Sequence, residues 1–223
     1  TGTKGKTTVV ELVHAALEAS GARVASVSSE RFKIGDREEK NKLKMTMPGR
    51  FFLQGFLRRA LREGCTHAVV EVTSQGIAQF RHRFIRFSTA VATNIAPEHV
   101  EAHGSFENYL RAKLDLFWRL PKEGVAILNA DDPYAARFAA ATRGHITWFG
   151  KEGIHTGEEE WRVCDFREGA HGISFGLAPN RSHRKEVLCT SRLRGEFNAA
   201  NILAAAAVGI SRHIAPEKIA MGI

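Results

Sequence analysis

Residues 1–8 of the chain read TGTKGKTT. Two glycines three residues apart, followed by Lys-Thr, describe a tight turn that feeds a helix. Such a turn presents backbone N–H groups and the positive end of the helix to phosphate, while the lysine reaches the terminal phosphates and the hydroxyl holds magnesium. Gly2, Gly5, Lys6 and Thr7 supply those parts, and Thr3, Lys4 and Thr8 complete the loop. The commoner phosphate loop has its first glycine five residues before the second, so this is a variant form, expected to bind ATP. The competing reading of the same residues is a surface turn that caps a helix.

Ligands of open parallel sheets bind beyond the carboxyl ends of the strands, which directs attention to polar residues that follow apolar runs. Glu71 closes the run Ala68-Val69-Val70. An acid there can hold magnesium beside Thr7, or it can pair with one of the nearby arginines. The segment TNIAPEHVEAH places Glu98, His99 and His103 in one loop. Carboxylate plus imidazole can bind a second divalent ion, although isolated histidines are also surface or capping residues. Lys113 shares an apolar stripe with Phe106, Leu110, Leu114 and Phe117 at helical spacing. It either snorkels to the surface or is buried and held close to neutral. A neutral amine can be a nucleophile, or it can take up carbon dioxide to form a carbamate, which is an acid in place of a base and a metal ligand.

These groups need a scaffold to bring them together. Apolar periodicity switches repeatedly between helix-like and strand-like segments, the pattern of an α/β domain with a mostly parallel sheet flanked by helices. The spacing predicts helices over Lys6 to Ser20, Phe51 to Glu63, Ser105 to Leu120, Pro133 to Thr142 and Asn198 to Val208. It predicts strands over Arg23 to Ser28, Ala68 to Thr73, Thr89 to Asn94, Val125 to Asn129 and Ile146 to Phe149. Between Trp161 and Thr190 short alternating stretches follow one another with no helix between them, which predicts a small antiparallel sheet at the edge. No internal repeat, low-complexity tract or interdomain linker divides the chain, so residues 1–223 are expected to form one domain.

With 43% hydrophobic and 25% charged residues in 223, the chain can bury a sizeable core. No apolar run approaches the roughly 20 residues of a membrane span, and the start lacks the basic-then-apolar order of a signal peptide. Cys65, Cys164 and Cys189 are odd in number and far apart. That spacing argues against a disulfide framework or a zinc site and suits a reducing cytoplasm. The net charge of +8 suits an anionic partner. Because the basic residues are scattered without interleaved aromatic platforms, a phosphorylated small molecule fits better than nucleic acid. A chain that opens on its own phosphate loop and ends without a stop signal reads as a fragment.

Taken in order, GTKGKTT, EVTSQGIAQFR, TNIAPEHVEAHGSFENYLRAK, LNADDP and GEFNAANILAA resemble the central ATP-binding domain of the Mur ligases, most closely the tripeptide synthetases of the MurE type. The resemblance runs from Thr1 to about Val208. It implies a P-loop NTPase-like fold and ATP-dependent amide bond formation through an acyl phosphate, adding an amino acid, expected to be a diamino acid, to a UDP-muramoyl-peptide in peptidoglycan precursor synthesis. It implies that Lys6 and the loop N–H groups hold the β- and γ-phosphates, with Thr7 and Glu71 on a first magnesium. A second magnesium would be held by His99, a carbamoylated Lys113 and Glu71. Asn198 would contact adenine, with Asn201, Asn129 and Asp132 in support, and Thr46, Met47, Thr73, Gln79 and Arg81 would face the UDP-muramoyl-peptide. A cytoplasmic monomer acting on two small-molecule substrates, with no membrane or nucleic-acid partner, is the expected setting.

The sequence departs from the family pattern at Lys4 (usually Asn), Glu98 (Asp), Thr46-Met47 (Thr-Thr) and Thr73-Ser74-Gln75 (Ser-Ser-His). The family's UDP-binding and C-terminal domains are not represented, so the fragment alone is expected to bind ATP poorly and catalyse little. Folylpolyglutamate or cyanophycin synthetase-like ligation and a non-catalytic nucleotide-binding domain are the alternatives.

Overall fold

Strands that are apolar on both faces must be covered twice, and the central strands of this chain are of that kind. The computed structural model describes residues 1–43, 45–98, 100–157, 160–180 and 186–223. In chain order its first elements are α1 (Lys6–Ala19), β1 (Val24–Val27), β2 (Arg31–Ile34), β3 (Arg37–Lys40), α2 (Arg50–Arg62), β4 (His67–Val70), α3 (Ser74–Ala78) and β5 (Thr89–Ala92). There follow α4 (Val100–His103), α5 (Phe106–Trp118), β6 (Val125–Asn129), α6 (Ala135–Ala141), β7 (His145–Gly150) and β8 (Gly153–His155). The last are β9 (Glu160–Gly169), β10 (Gly172–Pro179), β11 (Val187–Ser191), α7 (Glu196–Ser211) and α8 (Pro216–Gly222).

β1 pairs in parallel with β4, β5 with β6, and β6 with β7. Side chains alternate across these strands. Ala25, Val27, Ala126 and Leu128 pack with Leu53 and Phe56 of α2, Leu110 and Phe117 of α5, and Phe138 of α6. Val24 and Ile127 point the other way, onto Val9 and Val13 of α1 and the buried side of α7. The expected α/β architecture and its five central strands are therefore present, each within two or three residues of its predicted bounds. From Ile202 to Ile210 α7 is apolar all round, with Ala204 to Ala207 fully buried, and the helix touches α1, β6 and β7.

The sheet differs from the expectation in how much of it is antiparallel. The described residues form a four-stranded sheet, β3-β2-β1-β4, and a seven-stranded one, β11-β10-β9-β8-β7-β6-β5. Pairings from β7 through β11, and from β1 through β3, are antiparallel. The β2–β3 hairpin was not foreseen because its outer strand is exposed throughout and carries no apolar residue. Gly35, at φ 52 in the turn, is the local mark it leaves.

Candidate nucleotide and metal site

Gly5 (φ 78) caps the start of α1. No side chain caps that end, and no acid lies in its first turn. The first N–H groups and the positive end of the helix are thus left for an anion. A Cβ on Gly5 would come within 2.0 Å of Asn201 Oδ1, and one on Gly2 within 1.9 Å of Thr93 Oγ1. Both glycines are required because the loop is pressed between the end of β5 and α7. Gly2 (φ 152) also sits in backbone territory that L side chains avoid. Gly2→Ala is expected to cost about 1–3 kcal/mol, read from the urea midpoint. Wild-type stability in that variant would mean that Thr93 yields without cost.

The loop is tied to the segment after β5. Thr3 N donates to Asn94 O at 2.7 Å, Lys4 N to Asn94 Oδ1 at 2.9 Å, and Thr93 Oγ1 to Lys4 O at 2.7 Å. Thr3 Oγ1 lies 2.8 Å from the Tyr109 hydroxyl and accepts from Ala96 N at 2.9 Å. The Thr3 side chain therefore braces the loop from inside. The Lys4 side chain is exposed, with its Nζ 3.9 Å from Glu98 Oε1. Lys6 Nζ folds back to donate to Thr3 O at 2.8 Å. Burial lowers its pKa, opposed by Glu71 and Glu98.

Thr7 Oγ1 donates to Glu71 Oε2 at 3.0 Å. The same oxygen accepts from Ser29 N at 2.8 Å and lies 3.1 Å from Ser29 Oγ, which in turn is 3.0 Å from Thr46 Oγ1. Glu71 is 2% exposed, and the partners it has are hydroxyls and an N–H rather than an arginine. A buried carboxylate beside a hydroxyl at a phosphate loop suits magnesium, which takes one or two carboxylates, substrate phosphates and waters rather than an all-protein cage. Among the described residues no group of three or more His, Cys, Asp or Glu could hold a metal by itself. His99 lies outside the described residues.

Lys113 does not snorkel. It is 2% exposed, and its Nζ donates to Gly2 O at 2.6 Å and lies 4.6 Å from the centre of the Tyr109 ring. Burial, reinforced by the Lys6 charge, lowers its pKa to about 7. As an amine it is a donor to the loop and no metal ligand, whereas a carbamate at the same position would be one.

Asn198 and Asn201 sit in the first turns of α7. Asn201 Nδ2 donates to Asn198 Oδ1 at 3.0 Å, and Asn198 Nδ2 to Arg194 O at 2.7 Å. Asn129 ends β6 and Asp132 lies in the turn that follows, where both bond to backbone. Asn129 donates to Thr93 O and accepts from Asp131 N. The two carboxylate oxygens of Asp132 accept from Ile95 N at 2.6 Å and Tyr134 N at 2.9 Å. Both residues are occupied in holding backbone.

Of the residues expected to face a second substrate, Thr73 caps α3 by accepting from Gly76 N at 3.0 Å. Arg81 donates to the carbonyl of Met47 and to the Gln79 side chain. The Met47 side chain is 1% exposed and belongs to the core, so only its carbonyl reaches this cluster. Sequence reasoning missed Ser29 and Tyr109. Ser29 follows the apolar strand β1 just as Glu71 follows β4, and the same rule would have found it.

A phosphate-type loop at the head of a helix, with a buried acid from the end of a nearby strand against its threonine, defines an α/β domain of the P-loop class. Residues 1–209 match the Mur ligase middle domain, and the chain belongs to that family. It is 33% identical over 209 residues to the UDP-N-acetylmuramoyl-L-alanyl-D-glutamate–2,6-diaminopimelate ligase of Chlamydia felis (strain Fe/C-56), across 93% of this chain and 41% of that protein. It is 34% identical over 230 residues to the protein of the same name from Solibacter usitatus (strain Ellin6076), across 100% of this chain and 44% of that one. The solved structure of a ligase of that name superposes with a TM-score of 0.83 at 24% identity, over 98% of this chain and 43% of the other. MurF from Acinetobacter baumannii superposes with a TM-score of 0.76 at 22% identity, over 99% and 44%. These last two likenesses are in fold. The chain thus spans about two fifths of the length of the curated relatives it matches. No helix among the described residues is long and apolar enough to cross a membrane.

Proposed function

We propose that this chain is the ATP-binding and catalytic core of a ligase that joins an amino acid to UDP-N-acetylmuramoyl-L-alanyl-D-glutamate in cytoplasmic peptidoglycan precursor synthesis. The observation that carries the proposal is the Lys6–Thr7–Glu71 group at the uncapped start of α1, with the buried Lys113 amine on the other side of the loop. Gly2, Gly5, Lys6, Thr7 and Thr8 would cradle the phosphates of ATP, and Asn198 with Asn201 would flank the adenine. Thr7 and Glu71 would hold a first magnesium. His99 and a carbamate on Lys113 would hold a second, which would screen charge between two anions.

In this reading the acceptor carboxylate attacks the γ-phosphorus and ADP leaves. The amine of the incoming amino acid then attacks the acyl carbon, and phosphate leaves. Lys6, freed from Thr3 O, follows the charge on the transferring phosphoryl group. Thr46, Thr73, Gln79 and Arg81 would meet the acceptor, and the +8 charge would suit two polyanionic substrates. The names of the relatives point to 2,6-diaminopimelate as the amino acid. The enzyme is read as a monomer that serves cell-wall growth, shape and division.

The test is a substrate screen on the polypeptide that carries this chain, following ADP release. Turnover is expected to require the UDP-muramoyl-dipeptide together with a diamino acid. Equal turnover with a folate and glutamate would move the protein to folylpolyglutamate-type ligation, and nucleotide binding without turnover on any acceptor would make the domain non-catalytic.

A further inference from the structure

Basic residues that look scattered along the chain are gathered by the fold onto one outer face. α2 makes its core contacts through Leu53, Phe56 and Ala60, and at helical spacing Phe51, Gln54, Arg58 and Leu61 form one stripe away from them. The turn between α3 and β5 lies beside that stripe, because Gln54 Nε2 donates to Arg83 O at 3.5 Å. Arg50, Arg58, Arg59, Arg62, Arg83 and Arg86 are exposed here, and neither residues 50–62 nor residues 80–88 include an acid. Arg86 reaches Glu123 at 3.7 Å, but both side chains are exposed and such a pair holds little.

Apolar side chains stand among these charges. Phe51 and Phe84 are each 83% exposed and Leu61 is 73% exposed. The Arg50 guanidinium lies 5.4 Å from the centre of the Phe51 ring, and that of Arg83 lies 4.2 Å from the centre of the Phe80 ring. The turn is also strained. Phe80 and Phe84 have φ of 56 and 68, left-handed backbone that costs a bulky L residue stability. A ring as exposed as that of Phe84 returns little of this cost through burial, so what it gains lies outside the packing of the fold.

We propose that this face rests on an anionic lipid surface. Six arginines with no acid among them are complementary to negative charge, and their planar forks match the phosphate oxygens of lipid headgroups. Phe51, Leu61 and Phe84 enter the boundary between headgroups and acyl chains, where apolar tips flanked by basic residues are stable. An extended peptide or a nucleic-acid strand is gripped in a groove, whereas these side chains stand out from a helix and a turn. The two largest cavities among the described residues lie elsewhere. A base stacks on an open ring face, but an arginine takes one face of Phe51 and of Phe80, and Leu61 has none to offer. The contact adds a peripheral lipid surface to a chain expected to have no membrane partner, and it stands apart from the ligase reading, since none of these residues belongs to the site.

Co-sedimentation of the polypeptide that carries this chain with phosphatidylcholine vesicles, with and without phosphatidylglycerol, tests the proposal. Binding is expected to be at least about 10-fold tighter with phosphatidylglycerol and to weaken as salt rises. The pair Arg58→Glu and Arg62→Glu is expected to weaken it at least about 10-fold, and so is Phe51→Ser. Phe84→Gly is expected to weaken it without lowering the melting temperature, because glycine takes the left-handed backbone without strain. Ligation measured without vesicles should stay at the wild-type rate in all of these variants. Absence of vesicle binding, equal binding with and without phosphatidylglycerol, or variants that bind as the wild type does overturn the proposal. Loss of ligation in step with binding would place the face in catalysis and overturns it too. Tighter binding to poly-glutamate or to single-stranded DNA than to vesicles would assign the face to an acidic protein or a nucleic acid, and this also overturns it.

Discussion

Lys113→Met is expected to lower ligation by about 10²–10³-fold or more while making the fold more stable. The amine titrates at about 7 in the folded chain against 10.5 in the unfolded one. That shift corresponds to about 5 kcal/mol of burial cost at neutral pH. Methionine fills the same stripe between Leu110, Leu114 and Phe117 without that cost. The lost hydrogen bond to Gly2 O takes back about 1–3 kcal/mol. A net gain of about 2–4 kcal/mol remains, in the range seen when buried charged groups are replaced by apolar ones.

The sign of the pH dependence follows from proton counts. Between pH 7 and 10.5 the unfolded chain carries a proton on Lys113 that the folded chain does not, so wild-type stability rises with pH across that window. The destabilisation is fully present below about pH 7 and gone above 10.5. Urea unfolding in buffer free of carbon dioxide should therefore show the variant's advantage at pH 7 and its decline by pH 10. A variant less stable than wild type at pH 7 would contradict the burial argument. In the ligation assay bicarbonate should raise the rate of the wild type only. A variant that still ligates at the wild-type rate would remove the carbamate from the mechanism.

Glu71→Gln should have an effect of similar size on turnover and a small one on stability. The amide oxygen can still accept from Ser29 N, so no backbone donor is left buried without a partner. The charge is lost where a magnesium would sit, and a metal's stabilisation of transferring phosphate is worth several kcal/mol. Turnover should fall about 10²–10³-fold, with the magnesium dependence moved to higher concentration and the urea midpoint little changed. Glu71→Ala serves as the contrast, since it also strands Ser29 N and should lose about 1–3 kcal/mol. Turnover with an unaltered magnesium dependence in the Gln variant would take Glu71 out of the metal site.

The parts of the fold legible in the sequence are those where burial imposes a pattern. β6 was predicted to its exact ends, Val125 to Asn129, because a strand covered on both faces is a continuous apolar run. The stripe on α5 located Lys113 and forced the choice between snorkelling and burial, which the Gly2 carbonyl and the Tyr109 ring decide in favour of burial. The hairpin partner β3 is exposed on both faces and left no apolar signal. Within the site, the meeting of Thr7 and Glu71 was legible because one opens the helix after the glycine turn and the other follows an apolar strand, and the two lie 3.0 Å apart. Composition does not show that Asn129 and Asp132 bond to the backbone of Thr93, Ile95 and Tyr134, or that the Met47 side chain lies in the core.

The four consecutive buried alanines of α7 have a consequence for how this sequence can drift. Helices that bury a lysine or a phenylalanine can exchange one large group for another, but Ala204 to Ala207 leave no volume to trade. α7 lies against α1, β6 and β7, and its Asn201 stands where a Cβ on Gly5 would collide. Its thickness therefore works as a gauge block. A single added methylene on its buried side would be passed on as a displacement of the turn that receives phosphate, so the least chemically active stretch of the chain should be among the least free to change.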